Sequence, residues 1–383
     1  MLNLQKPICK NLIAVFALLT ILSFTDYPQK PIGNPSCFNR CWFYPTILGG
    51  VLNIASDNNY SLYVSLSDGK LLSINSKTGE KSWETELGGD IVSIPLIDRK
   101  NVFIATKQSD KLSNNVKKAF RTVMIHSLGK TTGLVEWQIK LTASGNVYMY
   151  DSENFIIPVF ANGDVYSIAK ADGRTEWIKS LVSEVSSRPL GKKSEIILGT
   201  FDKRITVLSL NSGKPIKKFE IPVAAAIIIE DTTGNNLIVG DKKGILWSLN
   251  KKKNTRNWSY RLGAEISSVK PTVKGLLVSS FDNFAYLISE ESGKLIWKKR
   301  LPGRIAAEPQ IKDNFLIITS VDESEALVIE LSSGKLVNKI ILGEDENFFT
   351  GEATQSKNLF VYITHRGILG FTFSDKGCWI PEK

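Results

Sequence analysis

The side chains able to do acid–base, redox or metal chemistry are few and far apart. The chain holds four cysteines, Cys9, Cys37, Cys41 and Cys378, and two histidines, His126 and His365. A zinc centre needs His, Cys or carboxylate ligands grouped at short, regular spacings, and neither histidine has such a partner. The commonest general base is therefore nearly missing, and both histidines are expected in ordinary strand or turn positions. Six aspartates, Asp68, Asp164, Asp202, Asp241, Asp282 and Asp322, recur at one kind of polar hairpin. An Asp in such a hairpin accepts hydrogen bonds from its own backbone, so turn formation accounts for all six without catalysis. No phosphate loop or nucleophile elbow occurs. On these residues the chain carries no catalytic, cofactor or metal site.

The residues that do recur at fixed spacing are a glycine and a tryptophan. Trp83, Trp137, Trp177 and Trp297 each follow a glycine by four residues, and Trp258 follows Asn254 in the same way. Aligned corners fall at Gly79, Gly133, Gly173, Gly213, Asn254, Gly293, Gly334 and Gly377, at intervals of 54, 40, 40, 41, 39, 41 and 43. The long interval holds the polar insertion "KQSDKLSNNVKKAF", residues 107–120, which should project as a loop. Between corners lie β-branched runs such as "NVFIAT" and "EIILGT", then alternating runs such as "DVYSIA", each bounded by Gly/Asp/Asn turns. Four short strands per unit of about 40 residues predict propeller blades. The fold class is all-β, an eight-bladed β-propeller of four-stranded antiparallel blades. Glycine, or Asn254, supplies the positive φ of the corner. Trp83, Trp137, Trp177, Trp258 and Trp297 are expected to pack between blades, with looser contacts in blades four and seven, where Lys217 and Asn338 replace the indole. Only six residues follow Gly377, too few for a full outer strand, so residues 37–48, "CFNRCWFYPTIL", are expected to close the last blade. That closure brings Cys378 near Cys41 or Cys37, and Cys41–Cys378 is the expected disulfide, one thiol being left over among the three cysteines that follow Cys9.

The stretches "SDGKLLSINSKTGEKSW", "NGDVYSIAKADGRTEW" and "FDNFAYLISEESGKLIW" resemble the PQQ-type, quinoprotein-like propeller repeat, over nearly everything beyond residue 40. The name of that repeat comes from quinone-dependent alcohol dehydrogenases, whose adjacent cysteines, calcium site and catalytic aspartate have no match here. A dehydrogenase relative is thus the minor reading and no cofactor is implied. Among exported, single-domain, eight-bladed members the resemblance is to the BamB family, propellers of the outer-membrane β-barrel assembly machinery. That family is normally lipid-anchored through a cysteine that this chain lacks. The Leu-Arg contact it presents to the barrel subunit is not evident at Val182-Ser183-Glu184.

The N-terminus supports export. Lys6 and Lys10 precede an apolar run, Leu12 to Phe24, that is short for a membrane span. Residues 1–25 are read as a signal peptide, with an uncleaved anchor through residues 12–24 as the alternative. Residues 26–36, with three prolines, are read as a linker, and 37–383 as the propeller. Forty-eight Lys and Arg against 38 Asp and Glu leave a net charge of +10. The lysine doublets look scattered along the chain and lack an interleaved aromatic stripe, so a solvated surface is expected and nucleic acid is not. The expected function is that of a non-catalytic scaffold in the periplasm or cell envelope, a monomer within a complex. Its partners would be envelope proteins, the barrel-assembly subunit first among them, with peripheral membrane association as a further contact. A generic envelope propeller with another partner is the alternative.

Overall fold

Two burial patterns distinguish the strands. Second strands such as Ser61–Leu66, Phe155–Phe160 and Asn236–Asp241 are buried over almost their whole length. Outer strands such as Lys81–Glu86 and Thr175–Ser180 alternate between exposed and half-buried residues. The first pattern requires a sheet covered on both faces and the second a sheet edge reaching solvent. Both follow when separate small sheets pack face to face around an axis.

The computed structural model describes residues 38–373, apart from 48–49, 58, 108–121, 144, 193, 306 and 345–347. It contains eight antiparallel sheets in sequence order. Blades 1 to 7 run outward in simple meanders from inner strands beginning at Val51, Asp90, Val147, Leu190, Ala225, Ile266 and Gln310. Blade 8 takes Phe349–Ser356, Leu359–Thr364 and Gly367–Phe373 from the end of the chain, and its outer strand is the N-terminal Phe38–Pro45. The two ends pair from Phe38 opposite Phe373 to Pro45 opposite Gly367, which closes the ring as expected. The insertion of blade 2, the corner at Gly377, and the proposed signal and linker lie outside the described residues.

The core is divided among the seams. Eight clusters of buried residues each join two neighbouring blades, for example Ile197, Phe219 and Val239 between blades 4 and 5. Inner strands of neighbouring blades touch around the axis. Their free edges are blunted by Pro95, Pro189, Pro271 and Pro309, which offer no N–H to a stray strand. In blades 2 and 4, Ser93 Oγ accepts the Ala105 N–H at 2.9 Å and Ser187 Oγ the Gly199 N–H at 3.3 Å. These hydroxyls satisfy backbone donors where the proline interrupts the ladder.

Candidate functional site

The recurrent tryptophans are aimed by a recurrent irregularity. Every outer strand has a register shift just before the residue four past its corner, as between Ser73 and Ile74 opposite Trp83 and Lys81. A bulge turns the next side chain out of the regular pleat. Here it sends each indole across the seam to the following blade. Trp83 Nε1 donates to Lys130 O at 3.1 Å, Trp137 to Lys170 O at 2.8 Å and Trp177 to Leu210 O at 2.9 Å. Trp258 donates to Glu290 O at 2.9 Å and Trp297 to Leu331 O at 2.8 Å.

The ring lies against the following corner glycine. A Cβ on Gly133 would stand 2.6 Å from the Trp83 ring, and one on Gly334 would stand 2.8 Å from Trp297. The corner therefore needs glycine twice, for its positive φ and for the indole. Sequence reasoning missed the sixth member: Trp42, in the closing strand, donates to Ser76 O at 2.7 Å and covers Gly79. Its strand completes a blade built from the other end of the chain and Phe38 stands four residues before it, so the four-residue spacing could not reveal it.

Blade 4 shows what the indole dictates. There Lys217 holds the tryptophan position, and its ammonium donates to the equivalent carbonyl, Lys251 O. The facing corner is Asn254, at φ 55°, a residue with a Cβ. Indole and glycine are replaced together. The expected looseness of this seam is offset by the Lys217 bond. The corner expected to face Asn338 of blade 7, at Gly377, lies outside the described residues.

Cys41 occupies a bulge position in the closing strand and is disulfide-bonded. The other cysteines, Cys9, Cys37 and Cys378, all lie outside the described residues. Five of the six hairpin aspartates divide into two groups, while Asp322 itself takes the left-handed turn position, at φ 60°. Asp68, Asp241 and Asp282 accept backbone N–H groups two residues on, those of Lys70, Lys243 and Phe284. Asp164 instead accepts from Ser180 Oγ at 2.6 Å and Asn162 Nδ2 at 2.7 Å, and Asp202 from Arg204 at 3.1 Å. For these two, side-chain partners outcompete the expected backbone turn.

Titratable groups do not converge. His126 is 3% exposed, with Nε2 2.8 Å from Thr106 Oγ1, and burial pushes its pKa down to about 4, so it is neutral. His365 stacks on Phe348 in a hairpin, 4.7 Å between ring centres. Tyr63 is pushed up to about 12, chiefly by burial. Tyr286 donates to Asp282 and is held above the ordinary phenol range by burial and by that carboxylate. Among the described residues no three His, Cys, Asp or Glu side chains group as metal ligands.

What the ring presents is surface. On the face of the second-to-third-strand hairpins, Phe201, Phe281 and Val321 stand exposed at equivalent positions. Beside them the connector from blade 3 to blade 4 displays Val182, 93% exposed. That connector is pinned by Leu181 N to Gly163 O and Val185 N to Ala161 O, both 2.9 Å, and by Phe201 N to Glu184 O at 3.0 Å. The side chain is thus presented on a fixed loop. A small cleft of about 70 Å³ beneath it is lined by Lys179, Asp202, Arg204 and Lys218. On the opposite face, Pro271, Val273, Ile311 and Leu331 border an apolar groove of about 390 Å³.

Eight antiparallel sheets in a ring, bulged outer strands and an indole on six of the following corners define an eight-bladed propeller of the PQQ-repeat class. Within that class the chain is BamB-like. A family model described as outer membrane protein assembly factor BamB matches residues 38–122 and 121–216. BamB of Legionella pneumophila is 22% identical over 194 residues, 47% of this chain and 49% of that protein, so this match spans about half of the relative. BamB of Moranella endobia is 19% identical over 319 residues, 78% of this chain and 74% of that one. The crystal structure of BamB from Moraxella catarrhalis superposes with a TM-score of 0.70 at 14% identity, covering 88% of this chain and all (100%) of that one. Sqt1 of Saccharomyces cerevisiae also reaches 0.70, at 11% identity, so these superpositions show the fold alone.

Proposed function

We propose that the chain is an exported, non-catalytic scaffold of the cell envelope that assists assembly of β-barrel proteins in the outer membrane. The observation carrying this reading is the match of blades 1 to 4 to the outer membrane protein assembly factor model. The ring supports it physically: rigid seams hold fixed loops and apolar hairpin tips outward. Binding would centre on the hairpin face, around Val182, Phe201 and Phe281, with the barrel-assembly subunit as partner. Affinity purification of the tagged full-length chain from native envelopes tests this. Recovery of the barrel-assembly subunit is the expected result, and recovery of other envelope proteins without it would refute the assignment.

A second reading is favoured by one observation. The exposed connector carries Val182-Ser183-Glu184, without the Leu-Arg pair expected of the family. A generic envelope propeller docking another partner through the same loop would have no need of that pair. Replacing Val182 by Asp separates the two: the assembly reading requires that the barrel subunit be lost from the purified complex.

A further inference from the structure

Most of the lysine doublets that look scattered in the sequence are gathered by the fold. Of six clusters, Lys192-Lys193, Lys217-Lys218, Lys242-Lys243, Lys251 to Lys253 and Lys298-Lys299 fall within the span of sequence that builds blades 4, 5 and 6, and only Lys117-Lys118 falls outside it. Residues 183–302 hold 21 Lys and Arg against 11 Asp and Glu, a net +10. The rest of the chain holds 27 of each, a net charge of zero. One arc of the ring therefore carries the whole charge of the protein.

Much of this charge is exposed and uncompensated. Lys214 and Lys218 on the blade 4 edge, Lys252, Lys253, Arg256 and Arg261 on blade 5, and Lys294 and Arg300 on blade 6 are exposed and form no ion pair among the described residues. On the other blades several basic residues are neutralised locally, Lys70 by Asp68 and Glu84, Lys130 by Asp57, Lys170 by Asp98 and Asp151, and Lys339 by Glu325, while exposed ones such as Arg99, Lys140 and Lys335 are balanced by an equal number of acidic residues over the rest of the chain as a whole. Apolar side chains are interspersed on the same outer strands, Ile216 at 54% exposure and Ile296 at 48%.

We infer that the outer edge of blades 4 to 6 is a docking surface for an anionic phospholipid bilayer. The residue types select this partner. Sixteen of the 21 basic residues are Lys and five are Arg. Protein interfaces favour Arg and exclude Lys, and bidentate recognition of single carboxylates or phosphates also calls for Arg. Mobile, hydrated point charges spread over three blades match a diffuse anionic sheet. The exposed isoleucines can enter the headgroup layer while lysine heads remain in water. The inference does not depend on the assembly reading, and a vesicle experiment bears on the arc alone.

The test is flotation of the full-length protein with phosphatidylcholine vesicles, with and without phosphatidylglycerol. Two charge-matched variants are compared. One carries K252E, K253E, K294E and R300E in the arc. The other carries R99E, K100E, K140E and K335E, four exposed positions elsewhere. Circular dichroism and an unchanged melting temperature confirm that both remain folded. A basic residue near an anionic leaflet is worth about fivefold in partitioning, so the arc variant should lose roughly two to three orders of magnitude. The control variant should retain most of the binding, and salt should abolish what binding there is. Equal loss in both variants, or equal wild-type binding to vesicles without phosphatidylglycerol, would overturn the inference. So would failure to bind anionic vesicles combined with binding to polyglutamate, which would make the arc a site for acidic protein.

Discussion

If the indole on the next corner is what demands glycine there, adding one methyl group at Gly334 must be costly only while Trp297 is present. The Cβ of Gly334→Ala would stand 2.8 Å from Trp297 Cδ2 and 3.1 Å from Cε3, at a backbone φ of 69°. The left-handed conformation costs an alanine about 1–2 kcal/mol. Overpacking against the ring adds about 1–3 kcal/mol, because the indole is held by its bond to Leu331 O and cannot easily retreat. The expected loss is about 2–5 kcal/mol. Trp297→Ala alone should lose about 3–5 kcal/mol, since the ring is 9% exposed. In that background Gly334→Ala should cost only the backbone contribution, about 1–2 kcal/mol. The cycle therefore closes with a coupling of about 1–3 kcal/mol. Asn254→Ala is the internal control: this corner faces Lys217 and already holds a Cβ, so its loss should stay below about 1 kcal/mol. Urea unfolding midpoints at constant slope give all four values. An additive cycle, or an Asn254→Ala loss equal to that of Gly334→Ala, would show that the glycine answers to backbone conformation alone.

Acid should weaken the fold through His126. Its folded pKa of about 4 lies below its free value of 6.5, so the unfolded chain takes the proton first. Stability from the neutral ring is full above pH 6.5 and falls as pH drops toward 4, by about 3 kcal/mol, and His126→Leu should flatten the melting temperature through that window. Deleting residues 38–45 should bare the edge of Gly367–Phe373 and produce aggregates in light scattering; a monodisperse monomer would contradict ring closure through that strand. Non-reducing peptide mapping should recover Cys41 linked to Cys378, and a Cys37–Cys41 peptide would assign the bond elsewhere.

Much of the ring was legible because its signals are local. A corner at φ near 70° needs Gly or Asn, and a tryptophan four residues on follows from the bulged strand that the corner starts. The shortage of residues after Gly377 exposed the split blade. What was hidden is relational. That Trp83 serves Gly133 rather than Gly79 depends on which blade follows in the ring. Lys217 and Asn254 read in sequence as two separate departures, yet they face each other across one seam. Trp42 pairs with Gly370, almost the whole chain away. The charged arc escaped notice because 120 residues of sequence fold back onto three adjacent blades. Asp164 resisted a turn-based reading because Ser180, a neighbour only after folding, offered a better donor, and Asp202 because the side chain of Arg204, two residues on, took the place of a backbone N–H.

Site-specific photocrosslinking in native envelopes tests the central claim most directly. A photoreactive residue at Val182 or Phe281 samples the hairpin face without touching a seam. The account predicts a covalent adduct with the barrel-assembly subunit from these positions, and none from Leu134, which is also exposed, at a corner on the opposite face. Adducts only with unrelated envelope proteins, or equal yields from both faces, would contradict it.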